Sequence, residues 1–461
     1  LMGDFHALNQ SQKGHLRVLR LLPKTQKKVL FVEFLKRQDQ KFLDLYLKEE
    51  LSEQEFLDKV QWEQSWGFPW KSYKPLLVWA KKHRVPVVAI DRALKFHGDQ
   101  SLALRDQFAA QVIFETLVAN PDHLGIVIIG DYHISKNHLP KRLLEKFGNL
   151  KIVRIFQNSE TIFLKLLELG KEFEIDVVRF NRWDYCLVSV APWVKWHALL
   201  LHYEETIEGD HEIVYKVSEE VHRFYGMLKH DLNTFDLDDD FHVTTITDNK
   251  FFNQLDSLLN ASERSGIREL IEIGGGFYIP QLKTAFVSKL SLNHVAEVAS
   301  TIWHFKITKT GWESFMSEDY FYELVWIFVV QYFGSKLINP KRKMATILDL
   351  KKDLRDQKSG SDYYPWVIKI KQEEELWISG IKKRLSLYRK IPGKKRVRVA
   401  REIGFMTGEK LYFLYRKRWL SSQDLMMYLQ APISTWKETY LQVIRKLDER
   451  PDPYPSKYQR V

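Results

Sequence analysis

Two hydrophobic periods alternate through the first part of the chain. Short runs rich in Val and Ile ("KVLFVEFL", "VPVVAID", "GIVIIGDYH", "LKIVRIF" and "IDVVRF") read as strands buried on both faces, as in a parallel sheet. The opening "LMGDFH" reads as the end of one more strand, so this reading expects residues upstream, a targeting segment among the candidates. Between the strands the apolar positions follow helical spacing. "GHLRVLRLL" sets Leu16, Leu19 and Leu22 on one side. "RQDQKFLDLYL" does so with Phe42, Leu45 and Tyr46, and "SEQEFLDKV" with Phe56, Leu57 and Val60. "SEQE" predicts an N-cap at Ser52, with Glu55 reaching back to it. "SYKPLLVWAKKH" and "LALRDQFAAQVIFETLVA" continue the helical series.

Strand–helix alternation of this kind predicts an α/β fold with a mostly parallel sheet flanked by helices. The segment from about 38 to 83 holds helical patterns and no strand, which predicts a small inserted helical subdomain. After "RWDYCLVSVAPW" the pattern changes. Long helical stretches such as "YEETIEGDHEIVYKVSEEVHRFYGML" and "FFNQLDSLLNASERSG" predict a mainly α-helical C-terminal region, with a small break at "EIGGGFYIP". The division read from the sequence is 1–195 and 196–461. "YFYELVWIFVVQYFG" is the most apolar stretch, but it is short and interrupted by Glu323, so it reads as a buried helix rather than a membrane span.

Composition narrows the picture modestly. The 461 residues are 45% hydrophobic, ample for a core, and the many aromatics argue against disorder. A net charge of +11 favours anionic partners, although it is spread over a long chain. The single cysteine, Cys186, excludes an intrachain disulfide and a zinc cage of several thiolates.

The candidate chemistry lies at strand exits. In an open parallel sheet, ligands gather beyond the carboxyl ends of the strands. The first strand runs into Gly3, Asp4 and His6; later strands end in Glu33 and Asp91; "GIVII" runs into Gly130, Asp131 and His133. Two Gly-Asp-x-His matches are unexpected, since this composition gives on the order of 0.04 by chance. Glycine lets the backbone turn at the exit, aspartate orients a turn or an imidazole, and histidine supplies a metal ligand or a base near neutral pH. His6, Asp4, Glu33, Asp91, Asp131 and His133 are thus candidate ligands for a divalent metal. The same groups suit general acid/base work without one.

These residues carry a family resemblance. "GDFH" followed by His15, "FVEFL" ending a strand around Glu33, the unusual "WGFPWKSYKPLL", "GDYHISKNHLPKRL", and the late Asp184–Tyr185 pair together resemble the ChaN-like haem-binding uptake family, over residues 1 to about 193. That family belongs to a wider superfamily with Tiki, TraB and the erythromycin esterases, marked by two Gly-x-x-His motifs. Asp4 departs from the usual Glu, and Asp91 stands where many relatives have Asn.

The resemblance implies an envelope protein, a lipoprotein or periplasmic, that binds haem or iron in iron acquisition, with a tyrosinate on the haem iron. Tyr132, beside Gly3, Gly130 and His15 in the motifs, is the candidate ligand. The hydrolase relatives imply an alternative, in which His6, Glu33 and His133 hold a metal or activate water directly. A third reading is a degenerate member whose helical half binds a membrane or envelope protein; a homodimer is also left open.

Weaker signals point elsewhere. "FDLDDDFHV" starts like a calcium loop but lacks its Gly and Glu, and reads as a solvated acidic loop. "GGG" lacks the Lys-Ser/Thr of a phosphate loop. His294 and Glu297 share a helix face but form only one pair. "KKRVRVAR" lacks the interleaved aromatics of a nucleic-acid surface, so nucleic acid is not an expected partner.

Overall fold

The computed structural model describes residues 1–92, 99–206, 211–245, 261–310, 320–357 and 360–449, with three isolated positions between 246 and 260. The chain divides into two compact units, Leu1–His202 and Tyr203–Val461.

The first unit is built on a seven-stranded sheet. Its strands are β1 (Met2–Asp4), β2 (Lys28–Lys36), β3 (Val87–Asp91), β4 (Leu124–Gly130), β5 (Arg154–Gln157), β6 (Val177–Arg179) and β7 (Asp184–Leu187). They lie in the order β3-β2-β4-β1-β5-β7-β6. All pairs are parallel except β6–β7, which is antiparallel. "IDVVRF" is therefore not the buried parallel strand its composition suggests. β6 is a short edge strand, and two of its three residues, Val177 and Arg179, are exposed. A return through a tight connection permits only an antiparallel pair.

Alternation along the strands explains the two cores. On β2 and β4, Leu30, Val32, Ile126 and Ile128 face one layer. That layer is made by α1 (Asn9–Leu21), α2 (Gln40–Leu47), α3 (Glu53–Lys59), α4 (Trp62–Ser65) and α5 (Trp70–Lys82). Val29, Phe31, Val127 and Ile129 face the other layer, made by α6 (Asp99–Val118) and α7 (Leu139–Phe147). Helices α2 to α5 are the predicted insertion, and the Ser52–Glu55 capping box is formed. Among the described residues α8 (Glu160–Glu168) also lies in this unit, and α9 (Pro192–Thr206) begins in it and runs past its end at His202.

The second unit is mainly helical, as the long 3.6-residue patterns predict. Its helices are α10 (His211–Asp231), α11 (Ala261–Gly274), α12 (Leu292–Thr308), α13 (Phe321–Ile338), α14 (Ile347–Arg355), α15 (Tyr364–Ile378), α16 (Gly393–Arg416), α17 (Ser422–Leu429) and α18 (Trp436–Asp448). Seven of the sixteen residues of "FFNQLDSLLNASERSG" fall outside the described residues, and its last six open α11. The break expected at "EIGGGFYIP" is a strand, β9 (Gly276–Ile279), in a three-stranded sheet with β8 (His242–Thr245) and β10 (Thr284–Val287). Four-residue strands carry too few alternations to register as a period.

Helix α13 is long and apolar enough to cross a membrane by length and composition, yet nearly all of it is buried within this unit. Glu297 pairs with Arg342 and Arg401, which occupies its carboxylate. The acidic loop is held by lysines, Asp238 by Lys306 and Asp240 by Lys283.

Candidate functional site

The carboxyl ends of β1, β2, β3 and β4 meet along one edge of the sheet, and the motif residues meet with them. β4 stops at Gly130, and Asp131–Ile134 form a 3₁₀ turn, so the second motif bends off the sheet rather than extending the strand.

Asp4 is a buried hub. Its Oδ2 lies 2.8 Å from His6 Nδ1 and its Oδ1 2.9 Å from His15 Nε2. Gln12 Nε2 donates to Oδ1 at 2.8 Å, and the Tyr73 hydroxyl to Oδ2 at 3.0 Å. Burial alone would raise this carboxyl, but the hydrogen bonds and charges of His15 and His6 hold it well below the usual carboxylate range. His15 is thus a support for Asp4 and not a group on the open edge; it is fully buried.

A second cluster mirrors the first. His133 Nδ1 lies 2.6 Å from Asp106 Oδ1, and His138 Nδ1 lies 2.9 Å from Asp106 Oδ2. His133 Nε2 lies 3.2 Å from Glu33 Oε1, and His6 Nε2 lies 3.8 Å from Glu33 Oε2. Each imidazole therefore has its Nδ1 fixed by a buried aspartate and its Nε2 turned to one carboxylate. Gly130 faces this meeting point. A Cβ there would lie 3.3 Å from His6 Nε2 and 3.5 Å from both Glu33 Oε2 and His133 Cδ2.

Arg105 supplies positive charge, donating to Glu33 Oε1 at 2.6 Å and to Asp91 Oδ1 at 2.7 Å. Glu33 also accepts from the Gly130 amide. Against its burial, His133, His6 and Arg105 hold Glu33 below its ordinary range. Burial would depress His133, but Glu33 and Asp106 outweigh it and bring its pKa to about 9. His6 is likewise raised by Asp4 and Glu33 despite burial. Its ring rests against Trp66, 4.6 Å between centroids, and Phe68, 5.3 Å. That contact accounts for the "WGFPW" segment: it walls the first histidine.

Asp131 lies elsewhere, over Gly3 of β1. A Cβ on Gly3 would come within 2.1 Å of Asp131 Oδ1, so glycine is what admits this side chain. That oxygen is buried and has no hydrogen-bond partner among the described residues. Burial raises the carboxyl to about 6, with Lys195 opposing. Tyr132 is 81% exposed, and its hydroxyl makes no hydrogen bond among the described residues. Asp184 is taken by Arg154 in a two-pronged ion pair, 2.8 and 2.7 Å.

The structure thus brings Asp4, His6, Glu33 and His133 together, adds Asp91 through Arg105, and leaves Asp131 and Tyr132 apart. Sequence reasoning missed Asp106, Arg105, His138, Tyr73 and Gln12. A signal existed for one of them. Asp106 stands at i−3, i−4 and i−7 from Ala109, Ala110 and Ile113, the buried face of α6, where an unpaired carboxylate is costly.

Among the described residues no group of three or more His, Cys, Asp and Glu side chains is arranged to hold a metal ion. The donor set explains this: its groups are bound to one another, with Arg105 on Glu33 where a cation would sit. As arranged, these residues do not fit a divalent metal. Beside Glu33, Trp66 and Asp91 a cavity of about 10 Å³ remains, room for about one water.

The first unit is an open α/β protein with a histidine–carboxylate cluster at the carboxyl edge of its sheet. Residues 1–96 match the family described as "Haem-binding uptake, Tiki superfamily, ChaN". That span includes Asp4, His6, His15, Glu33, Tyr73 and Asp91 and stops short of Asp106 and His133. No curated protein and no solved structure matches the chain, and the C-terminal half carries no family match.

Proposed function

We propose that this protein binds haem through its first unit, with Tyr132 as the iron ligand, and serves iron acquisition at a cell envelope. The observation that carries the reading is Tyr132 itself. Its exposed phenol follows β4 on the carboxyl edge of the sheet, in a unit whose residues 1–96, a span that does not include Tyr132, match a haem-binding uptake family. Tyrosinate is an established haem ligand, and an exposed phenol without a hydrogen bond can approach an iron centre without losing a partner. Tyr73 is unsuited, because burial and Asp4 push its hydroxyl well above the ordinary range and disfavour the phenolate. In this role the histidine–carboxylate cluster holds the edge rigid behind Tyr132. Hemin titration tests the reading. A Soret band that shifts on adding protein, and does not shift with Tyr132→Phe, is expected; an identical spectrum with the variant overturns it.

One observation favours a second reading, a hydrolase that activates water directly. His6 Nε2 and His133 Nε2 face one carboxylate opposite Gly130, with His133 held protonated at neutral pH and able to act as an acid. Ester or amide cleavage that persists unchanged in both His6→Ala and His133→Ala would dispose of it.

A further inference from the structure

The first unit has a second concave site, at the opposite end of its sheet. Lys28 opens β2, Pro86 precedes β3 and His123 precedes β4, and all three line a cavity of about 1000 Å³. That volume is at the upper end for small-molecule sites. Among the described residues its lining is chemically one-sided: seven lysines and arginines, two histidines and no carboxylate.

Much of that charge is unspent. Lys27 pairs with Asp122 and Lys74 with Glu53. The nearly buried Lys28 donates its ammonium to the carbonyls of Pro23 and Gln26, which fixes the loop forming one wall. Arg20, Lys24, Lys82 and Arg84 have no partner among the described residues. The ordinary explanation for such cations is that they complement helix C-termini. Arg20 is in the last turn of α1 and Lys82 in the last turn of α5. Two such termini carry roughly one negative charge in all, so about three positive charges are left over. Arg84 also holds a left-handed backbone, φ 54°, where a helix end usually places glycine or asparagine. The floor between these cations is apolar, made by Leu16, Leu19, Val78 and Trp79, and His83 packs on Trp79 with centroids 5.0 Å apart.

We propose that this cavity binds an organic diphosphate, its phosphates on Arg20, Lys24, Lys82 and Arg84 and its apolar or ring-bearing body on the Trp79 floor. Arginine forks match phosphate oxygens in pairs, and a diphosphate carries about the charge that the cavity leaves uncompensated. The site is separate from the haem reading, and neither depends on the other.

Calorimetric titration of the full chain at 0.15 M salt tests it, with inorganic pyrophosphate, ADP and geranyl diphosphate as probes. At least one organic probe is expected to bind ten-fold or more tighter than pyrophosphate, and to weaken as salt rises. The double variant Arg20→Gln, Arg84→Gln changes two solvent-facing side chains and is expected to stay folded, with a cooperative melt, while losing ten-fold or more in affinity. If neither organic probe outbinds pyrophosphate, or if the double variant binds as well as the parent, the proposal is overturned.

Discussion

Asp131→Asn should make this protein more stable at neutral pH, though it alters a motif residue. Asp131 Oδ1 is buried without a hydrogen-bond partner among the described residues, and its carboxyl titrates at about 6 instead of 3.8. A folded-state pKa raised above the unfolded value gives a contribution that is fully present below 3.8. It is lost as the pH rises through about 6. At pH 7 the native state thus carries an ionised carboxylate in a site that disfavours it. The cost is at most about 3 kcal/mol, taking 1.36 kcal/mol for each pH unit between the two values. Asparagine keeps the shape and removes the charge. Urea unfolding of parent and variant at pH 4, 5, 6 and 7 measures the difference. Comparing the two proteins at each pH cancels the loss of other carboxylate pairs in acid. The variant's advantage should be about 2 to 3 kcal/mol at pH 7 and close to zero at pH 4. A variant equal to or weaker than the parent at pH 7, or an advantage that does not shrink in acid, refutes the reasoning.

Other outcomes follow from the same geometry. Gly3→Ala should cost about 1–3 kcal/mol by pressing a methyl on Asp131 Oδ1, and Asp131→Ala should relieve most of it, so a double-mutant cycle in urea should be non-additive. Asp106→Ala removes the anion shared by His133 and His138 and should cost about 3–5 kcal/mol in the same assay; a loss under about 1 kcal/mol would deny it that role. His133 should titrate near pH 9 by NMR, and the stability it adds, full below 6.5, should fall as the pH rises through about 9. Ser52→Ala should lower stability by about 1 kcal/mol through loss of the capping box, with hemin spectra unchanged.

The sequence by itself determined the layers and the edge. Apolar runs and 3.6-residue spacing are local properties of one element, so they gave the parallel strands, the helical insertion and the helical second half. The strand-exit rule put Asp4, His6, Asp91, Asp131 and His133 on one rim, because every parallel strand points its carboxyl end the same way. It read Glu33 as a strand end too, although β2 runs on to Lys36 and Glu33 sits where its pairing register shifts. Tertiary structure decided who touches whom. His15 turned inward to Asp4, since α1 packs its buried face over β1. Asp106 and Arg105 reached the rim from α6, a helix with no motif of its own. Asp131 lay over Gly3 and not beside Glu33, because the chain leaves β4 in a 3₁₀ turn. The basic cavity draws its lining from two helix ends and the loops before three strands. Period and spacing fix which face of an element is apolar; only packing fixes which faces meet, and with them which charges are paired and which are left free.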